Sequence, residues 1–215
     1  MDSSGSTAVL ALVTSVYVAV ANVGDSRAVI AQRPEGCQTS GRALHSPFTG
    51  HLLEAVGLSR DHKATIPEER LRAEAAGASI DQVGIASEGR EPVFQLSTPA
   101  SDVKLRMTRS FGDFYLKQNH LLPYEQQAVV AVPEIIVHAR SARDAFLVMA
   151  CDGVFDVMTN QEVVDFMGEN LGYTAYGGPV GGVTTQAAAA ACDALLEACL
   201  ERGTVDNISV VLVVL

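Results

Sequence analysis

One stretch of the sequence places acidic side chains directly after a strongly apolar run. Residues 146–151 read FLVMAC, typical of a buried strand, and Asp152 and Gly153 follow at once, with Asp156 shortly after them. An ionised carboxylate at the end of a buried strand is costly unless it is paired or binds a metal ion. Asp-Gly is also a common turn sequence, so locally a metal ligand and a turn-capping aspartate are equally good interpretations.

Two further aspartates stand next to predicted strands. Asp206 and Asn207 precede the apolar run 208–215, and Asp61 with His62 follows the segment 57–60. Each of them could simply be a turn residue. Together with Asp152, however, they supply the hard oxygen ligands that Mg²⁺ and Mn²⁺ prefer. Spacing alone does not show that these residues converge.

The elements that must position these residues are mostly short apolar strands. Because most of the apolar runs are continuous rather than alternating, we predict strands that are buried on both faces or nearly so. Gly24-Asp25 predicts a hairpin turn between two of them, and Thr14-Ser15 predicts another. The predicted strands cover residues 8–13, 16–22, 27–32, 129–132, 135–138, 146–151 and 208–215.

Three helices are predicted from caps and apolar spacing. The first begins at Pro67 and ends at Gly77, with acidic residues in its first turn. The second begins at a capping box formed by Thr159 and Glu162, and the third runs from about Thr185 to Arg202. Strands and helices do not alternate regularly, so the fold class is α+β rather than a doubly wound sheet.

The amino-acid composition and the charge of the chain exclude several classes of protein. The chain has 215 residues and a net charge of −10, which argues against nucleic-acid binding because a phosphate backbone needs a basic partner surface. Its four cysteines form no CxxC pair, which favours reduced thiols in an intracellular, cytoplasmic or nuclear protein. No Lys or Arg precedes the apolar residues 8–23, so we expect neither a signal peptide nor a membrane span.

Eight motifs, in order along the chain, resemble those of the metal-dependent type 2C (PPM-type) serine/threonine protein phosphatases. No single motif is decisive, but their shared order over almost the whole chain is very specific. The motifs are Gly5-Ser6-Thr7-Ala8, Asn22-Val23-Gly24-Asp25-Ser26-Arg27, Asp61-His62-Lys63, Glu69-Arg70 with Ala76-Gly77, Thr108-Arg109-Ser110-Phe111-Gly112-Asp113, Val132-Pro133-Glu134, Cys151-Asp152-Gly153-Val154-Phe155-Asp156 and Asp206-Asn207-Ile208-Ser209-Val210.

The resemblance implies an antiparallel β-sandwich flanked by helices, with two Mg²⁺ or Mn²⁺ ions in a cleft. It assigns Asp152 and Asp206 as ligands of the paired metals, and Asp61, with Asp152 and Asp156, to a third and weaker site. Asn207 would orient Asp206 or a bound water, and Gly153 would support the site. The implied reaction is hydrolysis of phosphoserine and phosphothreonine in proteins by a metal-activated water, without a covalent intermediate.

The sequence also departs from the family pattern. The 215 residues contain no Asp-Gly-His-Gly motif, whose aspartate bridges both metals and whose histidine is the proposed general acid in the family. We therefore expect residues 1–215 to be a single, N-terminally truncated catalytic domain, with 33–57 as an insertion or loop. The catalytic residues would lie upstream, and this chain alone would be inactive or weakly active.

Two other functions compete with this one. A family member that has lost catalysis would act as a phosphatase-like binding module that only recognises partners, a possibility that the missing motif favours. Alternatively, Asp152 could be the nucleophile of a dehalogenase-type phosphatase. That family needs Asp-x-Asp after its strand, and Val154 occupies the third position here.

Overall fold

The computed structural model describes residues 4–34, 51–84, 92–99, 101–174 and 178–215. The strands are β1 (Gly5–Ser6), β2 (Ala8–Val13), β3 (Tyr17–Val23), β4 (Arg27–Gln32), β5 (Glu54–Gly57), β6 (Ser79–Gly84), β7 (Val93–Thr98), β8 (Ser101–Leu105), β9 (Phe111–Gly112), β10 (Glu134–Ala139), β11 (Asp144–Ala150) and β12 (Val210–Val214). The helices are α1 (Pro67–Ala75), α2 (Asp152–Phe155), α3 (Asn160–Asn170) and α4 (Thr185–Glu201).

The strands of the described residues form four sheets. Their orders are β12-β11-β4-β5, β10-β3-β2, β6-β7-β8 and β1-β9. In the first sheet every neighbouring pair is antiparallel, and β11 lies between β4 and β12. Antiparallel sheets together with separate helices confirm the predicted α+β class.

The described residues divide into two compact units. One comprises Met1–Ala11, Ala21–Ser26 and Arg60–Ile135, and the other comprises Leu12–Val20, Arg27–Ser59 and Ile136–Leu215. We call them unit 1 and unit 2.

The core of unit 2 lies where the helices pack on the sheet β12-β11-β4-β5. Helix α3 contacts α4, β5 and β4, and α4 contacts β12. The largest side chains of this core include Phe146, Met167 and Leu195, none of which is exposed. Strands β4 and β11 are buried along almost their whole length, as their continuous apolar sequences predict.

Unit 1 has a smaller core between α1 and the sheet β6-β7-β8. Ala73, Leu96, Leu116 and Val129 are buried there. Helix α1 begins with Pro67 at its first turn, and Gly77 follows its end with a φ of +93°, which glycine adopts without strain. The predicted boundaries of this helix are confirmed.

Helices α3 and α4 also follow the sequence pattern. Thr159 accepts a hydrogen bond from the backbone N–H of Glu162, and the Glu162 side chain accepts one from the backbone N–H of Thr159, which completes the predicted capping box. The side chain of Thr184 caps α4 in the same way by accepting from the N–H of Ala187. Within the described residues, no helix has the length and apolar character needed to cross a membrane.

Three expectations about strands need correction. Strands β2 and β10 leave Leu10, Leu12, Ile135 and Val137 more than half exposed, so their continuous apolar sequences do not indicate burial on both faces. Residues 129–132 do not form a strand, because the pairing there is limited to an isolated β-bridge between Val130 and Arg109. The segment 33–57 ends in strand β5, which pairs with β4; residues 35–50 lie outside the described residues.

Candidate metal centre

Asp152 begins a one-turn helix directly after the central strand of its sheet. Strand β11 ends at Ala150, Cys151 is extended, and α2 starts with Asp152. The backbone carbonyl of Asp152 accepts a hydrogen bond of 2.7 Å from the N–H of Asp156. This short helix therefore fixes the backbone of both aspartates, Asp152 half-buried and Asp156 exposed.

The segment that carries Asp206 lies against this turn. The Cys151 thiol donates to the carbonyl of Asn207 at 3.2 Å, and the Cys151 backbone N–H donates to the carbonyl of Ser209 at 3.3 Å. The Thr204 hydroxyl donates to the carbonyl of Gly153 at 2.8 Å. These bonds continue the β11–β12 pairing and hold the segments of Asp152 and Asp206 side by side.

Gly153 allows the two segments to approach this closely. A Cβ atom at this position would lie 2.5 Å from the carbonyl oxygen of Asn207 and 3.0 Å from the Ile208 side chain. The first of these neighbours is backbone, which cannot rotate away. The supporting role assigned to Gly153 is therefore steric.

We expect Gly153→Ala to lower the free energy of unfolding by about 1–3 kcal/mol, because the added methyl group overpacks this contact. Urea unfolding followed by circular dichroism measures the change. Gly57→Ala is the matched control, since the nearest atoms to a Cβ there are 3.7 Å away. Equal stability of Gly153→Ala and the parent protein would contradict the close approach.

Asp206 is exposed and bonded within its own turn. Its Oδ1 accepts a hydrogen bond of 2.7 Å from the backbone N–H of Asn207. One carboxylate oxygen of Asp206 is therefore held by the backbone of Asn207; the orienting role of Asn207 in a metal site stays a prediction.

The donor chemistry of this region fits a hard divalent cation. Asp152 and Asp206 offer two carboxylates from neighbouring segments, and Mg²⁺ is commonly held by one or two carboxylates with water completing its shell. Among the residues that the structure describes, no group of three or more His, Cys, Asp and Glu side chains is close enough to hold a metal ion. A cation bound here would therefore depend heavily on water ligands.

Asp61 belongs to unit 1, where it pairs with Lys63. The Lys63 Nζ lies 3.1 Å from Asp61 Oδ2. The neighbouring His62 is fully buried: its Nδ1 accepts a hydrogen bond from the Gly24 N–H, and its Nε2 lies 3.3 Å from a Glu134 carboxylate oxygen. Burial, and then the charge of Arg109, lower the pKa of His62. A buried ring in this setting does not suit a general acid that must reach substrate.

A buried ionic network around Glu69 was not foreseen. The sequence predicts Glu69 as an acidic residue in the first turn of α1 and as part of the Glu69-Arg70 motif, yet its side chain is only 1% exposed. Its carboxylate accepts hydrogen bonds from Arg72, Thr108 and Arg109. Burial raises the pKa of Glu69, but these three partners outweigh it and hold the pKa at about 2. The sequence signals were Glu69 and Thr108-Arg109, which belong to two separate motifs, whereas Arg72 belongs to none of the motifs.

The network reaches the backbone beside Asp61. The Thr108 backbone N–H donates to the carbonyl of His62 at 2.8 Å, and Arg72 donates to the carbonyl of Thr108 at 2.8 Å. The Asn22 side chain donates to the carbonyl of Arg60 at 3.1 Å. The backbone carbonyls of the residues on both sides of Asp61 thus accept hydrogen bonds from Asn22 and Thr108.

Comparisons with known proteins agree with the motifs. The family described as "Protein phosphatase 2C" matches residues 1–208. "Protein phosphatase ppm-1.A" of Caenorhabditis elegans is 31% identical over 99% of this chain and 36% of its own length. "Probable protein phosphatase 2C 8" of Oryza sativa subsp. japonica is 36% identical over 97% of this chain and 42% of its own length.

A solved structure shares the fold. The crystal structure of a phosphatase from a pathogenic strain of Toxoplasma gondii has a TM-score of 0.63 and 26% identity, covering 92% of this chain and 47% of that one. The chain thus spans less than half the length of these relatives. With a family match over nearly all of its residues, it belongs to the protein phosphatase 2C family.

Proposed function

We propose that the protein containing this chain hydrolyses phosphoserine and phosphothreonine in other proteins, with Mg²⁺ or Mn²⁺ as cofactor. The observation that carries this proposal is the close contact between the segments of Asp152 and Asp206, which Gly153 permits. Family membership implies dependence on a metal in general, and these two carboxylates are the residues that we assign to it.

Each residue of the candidate centre has a separate task in this proposal. Asp152 and Asp206 bind the paired metals, and Asp156 contributes to a third, weaker site. Asn207 orients the Asp206 carboxylate through its backbone N–H. Bound metal would supply an activated water near neutral pH and positive charge for the phosphoryl oxygens. Phosphorylated proteins are the proposed substrates, and the proposed location is intracellular.

A titration of the chain with Mn²⁺ alone tests the metal assignment. Because ligand charge sets the affinity of an oxygen site, we expect Asp152→Asn and Asp206→Asn each to raise the dissociation constant for Mn²⁺ roughly tenfold or more. Isothermal titration calorimetry, or electron paramagnetic resonance of the free ion, measures it.

Asp193→Asn is the matched control for that titration. Asp193 is exposed on α4 in the same unit and is not one of the residues assigned to the centre, so this variant removes the same charge from a different residue. If all three variants weaken binding equally, the chain attracts Mn²⁺ only through its net charge and our assignment is wrong. Phosphopeptide binding without any Mn²⁺-dependent hydrolysis would instead support a catalytically inactive binding module.

A further inference from the structure

We propose that Arg27 is a positioning residue for the helix that carries Asp152 and Asp156. The inference rests on the proposed metal site, and it adds a residue to which neither the motifs nor the comparisons assign a role. It follows from two contacts that Arg27 makes within unit 2.

Arg27 lies beside the start of this helix. It is the first residue of β4, and its partner in register on β11 is Ala150, two residues before Asp152. The guanidinium carbon of Arg27 lies 4.5 Å from the centre of the Phe155 ring. Its Nη1 donates a hydrogen bond of 2.7 Å to the side-chain oxygen of Asn160, the first residue of α3.

Helix α2 needs such support because it is very short. Four residues form a single turn, which has little stability of its own. The Thr204 hydroxyl holds it at the carbonyl of Gly153, and Arg27 holds it at Phe155. Since Arg27 also binds Asn160, its side chain connects β4, α2 and the start of α3.

The chemistry of this contact requires arginine. A planar guanidinium can stack on an aromatic ring and donate a hydrogen bond in its own plane at the same time. A lysine would keep the charge but lose the flat surface and the fixed direction of its donors. Phe155 lies between Asp152 and Asp156 in the same turn, so a displaced ring would displace both carboxylates.

Electrostatics and positioning predict opposite effects on metal affinity, which makes the inference testable. Removing a positive charge near a cation site should strengthen Mn²⁺ binding. Loss of a residue that orients metal ligands typically weakens binding by about 10–100-fold. We expect the second effect to win, so that Arg27→Gln and the charge-conserving Arg27→Lys both raise the Mn²⁺ dissociation constant by about tenfold.

The experiment is a Mn²⁺ titration of the 215-residue chain with the variants Arg27→Lys, Arg27→Gln and Phe155→Leu. Phe155→Leu removes the other half of the stacking contact and should raise the dissociation constant by a similar factor. If Arg27 and Phe155 act through their shared stacking contact, their effects are not additive. The double variant with Arg27→Lys and Phe155→Leu should therefore bind Mn²⁺ no more weakly than whichever of the two single variants binds it more weakly. Arg202→Lys is the control, since Arg202 pairs with an exposed Glu162.

The outcomes separate this inference from the proposed function. If Asp152→Asn does not weaken Mn²⁺ binding, the proposed metal site itself is wrong. If Asp152→Asn weakens it but Arg27→Lys and Phe155→Leu do not, the positioning role of Arg27 is wrong. A lower unfolding midpoint with an unchanged Mn²⁺ dissociation constant would show a purely structural contact, and stronger binding in Arg27→Gln would show a purely electrostatic one.

Discussion

The variant Glu69→Gln should lose about 3–5 kcal/mol of unfolding free energy, because it leaves two arginines beside a buried site without their countercharge. A pKa held at about 2 rather than 4.5 corresponds to about 3 kcal/mol of stabilisation of the ionised form. Chemical denaturation at pH 7, followed by circular dichroism, gives the difference directly. Glu74→Gln is the matched control on the same helix, since Glu74 forms an ion pair with Arg70 in which both side chains are exposed.

The dependence on pH gives this prediction a second test. Because folding lowers the pKa of Glu69, its contribution is fully present above about pH 4.5 and is lost as the pH falls towards 2. The stability difference between the parent protein and Glu69→Gln should therefore shrink between pH 4.5 and pH 2. A difference below about 1 kcal/mol at pH 7 would contradict the role that we assign to the network.

The second large effect concerns catalysis. We expect the isolated 215-residue chain, even with millimolar Mn²⁺, to hydrolyse a phosphoserine peptide at least about 100-fold more slowly than a full-length relative. The sequence contains no Asp-Gly-His-Gly motif, and so it lacks the histidine that the family resemblance assigns as the proposed general acid. A general acid typically contributes about 10²–10⁴-fold to the rate. Release of inorganic phosphate from a synthetic phosphopeptide measures the rate.

Asp152→Asn completes the catalytic test. Any turnover of the parent chain should depend on Mn²⁺ and should disappear in this variant, while Asp193→Asn should match the parent. Robust Mn²⁺-dependent turnover that Asp152→Asn abolishes would show that these residues build a working centre without the Asp-Gly-His-Gly motif. The expectation of a weakly active chain would then be wrong.

The parts of the fold that the sequence predicts are those with strong local signals. The Thr159 capping box, Pro67 at the start of α1 and the continuous apolar run of β11 each fix an element within a few residues. The sequence does not predict strands such as β6 and β7, because SIDQVG and VFQLST mix polar and apolar residues with little periodicity. These two strands are stabilised by pairing with each other, and a short stretch of sequence does not reveal such pairing.

The residues of the candidate site likewise fall into those that the sequence predicts and those that it does not. A strand followed by Asp-Gly points to Asp152, because the cost of burying a charge there can be judged from the sequence alone. The burial of Glu69 and the stacking of Arg27 on Phe155 could not be foreseen, since each depends on residues brought together only by the folded chain. Whether Asp61 shares a metal with Asp152 remains a prediction.

The order of strands in unit 2 also sets the pace at which this protein can fold. Gln32 of β4 and Asp144 of β11 are partners in register although 112 residues separate them. The other neighbour of β11 is β12, which ends at Val214. Distant pairings of this kind slow folding, because the entropy of closing long loops is lost before the contacts form. During synthesis, the edge of β4 that pairs with β11 therefore remains unpaired until β11 has been made, and the sheet is complete only once β12 has been made as well. Dilution at low protein concentration should consequently improve the yield of refolding, since unpaired apolar strands aggregate more readily when chains are crowded.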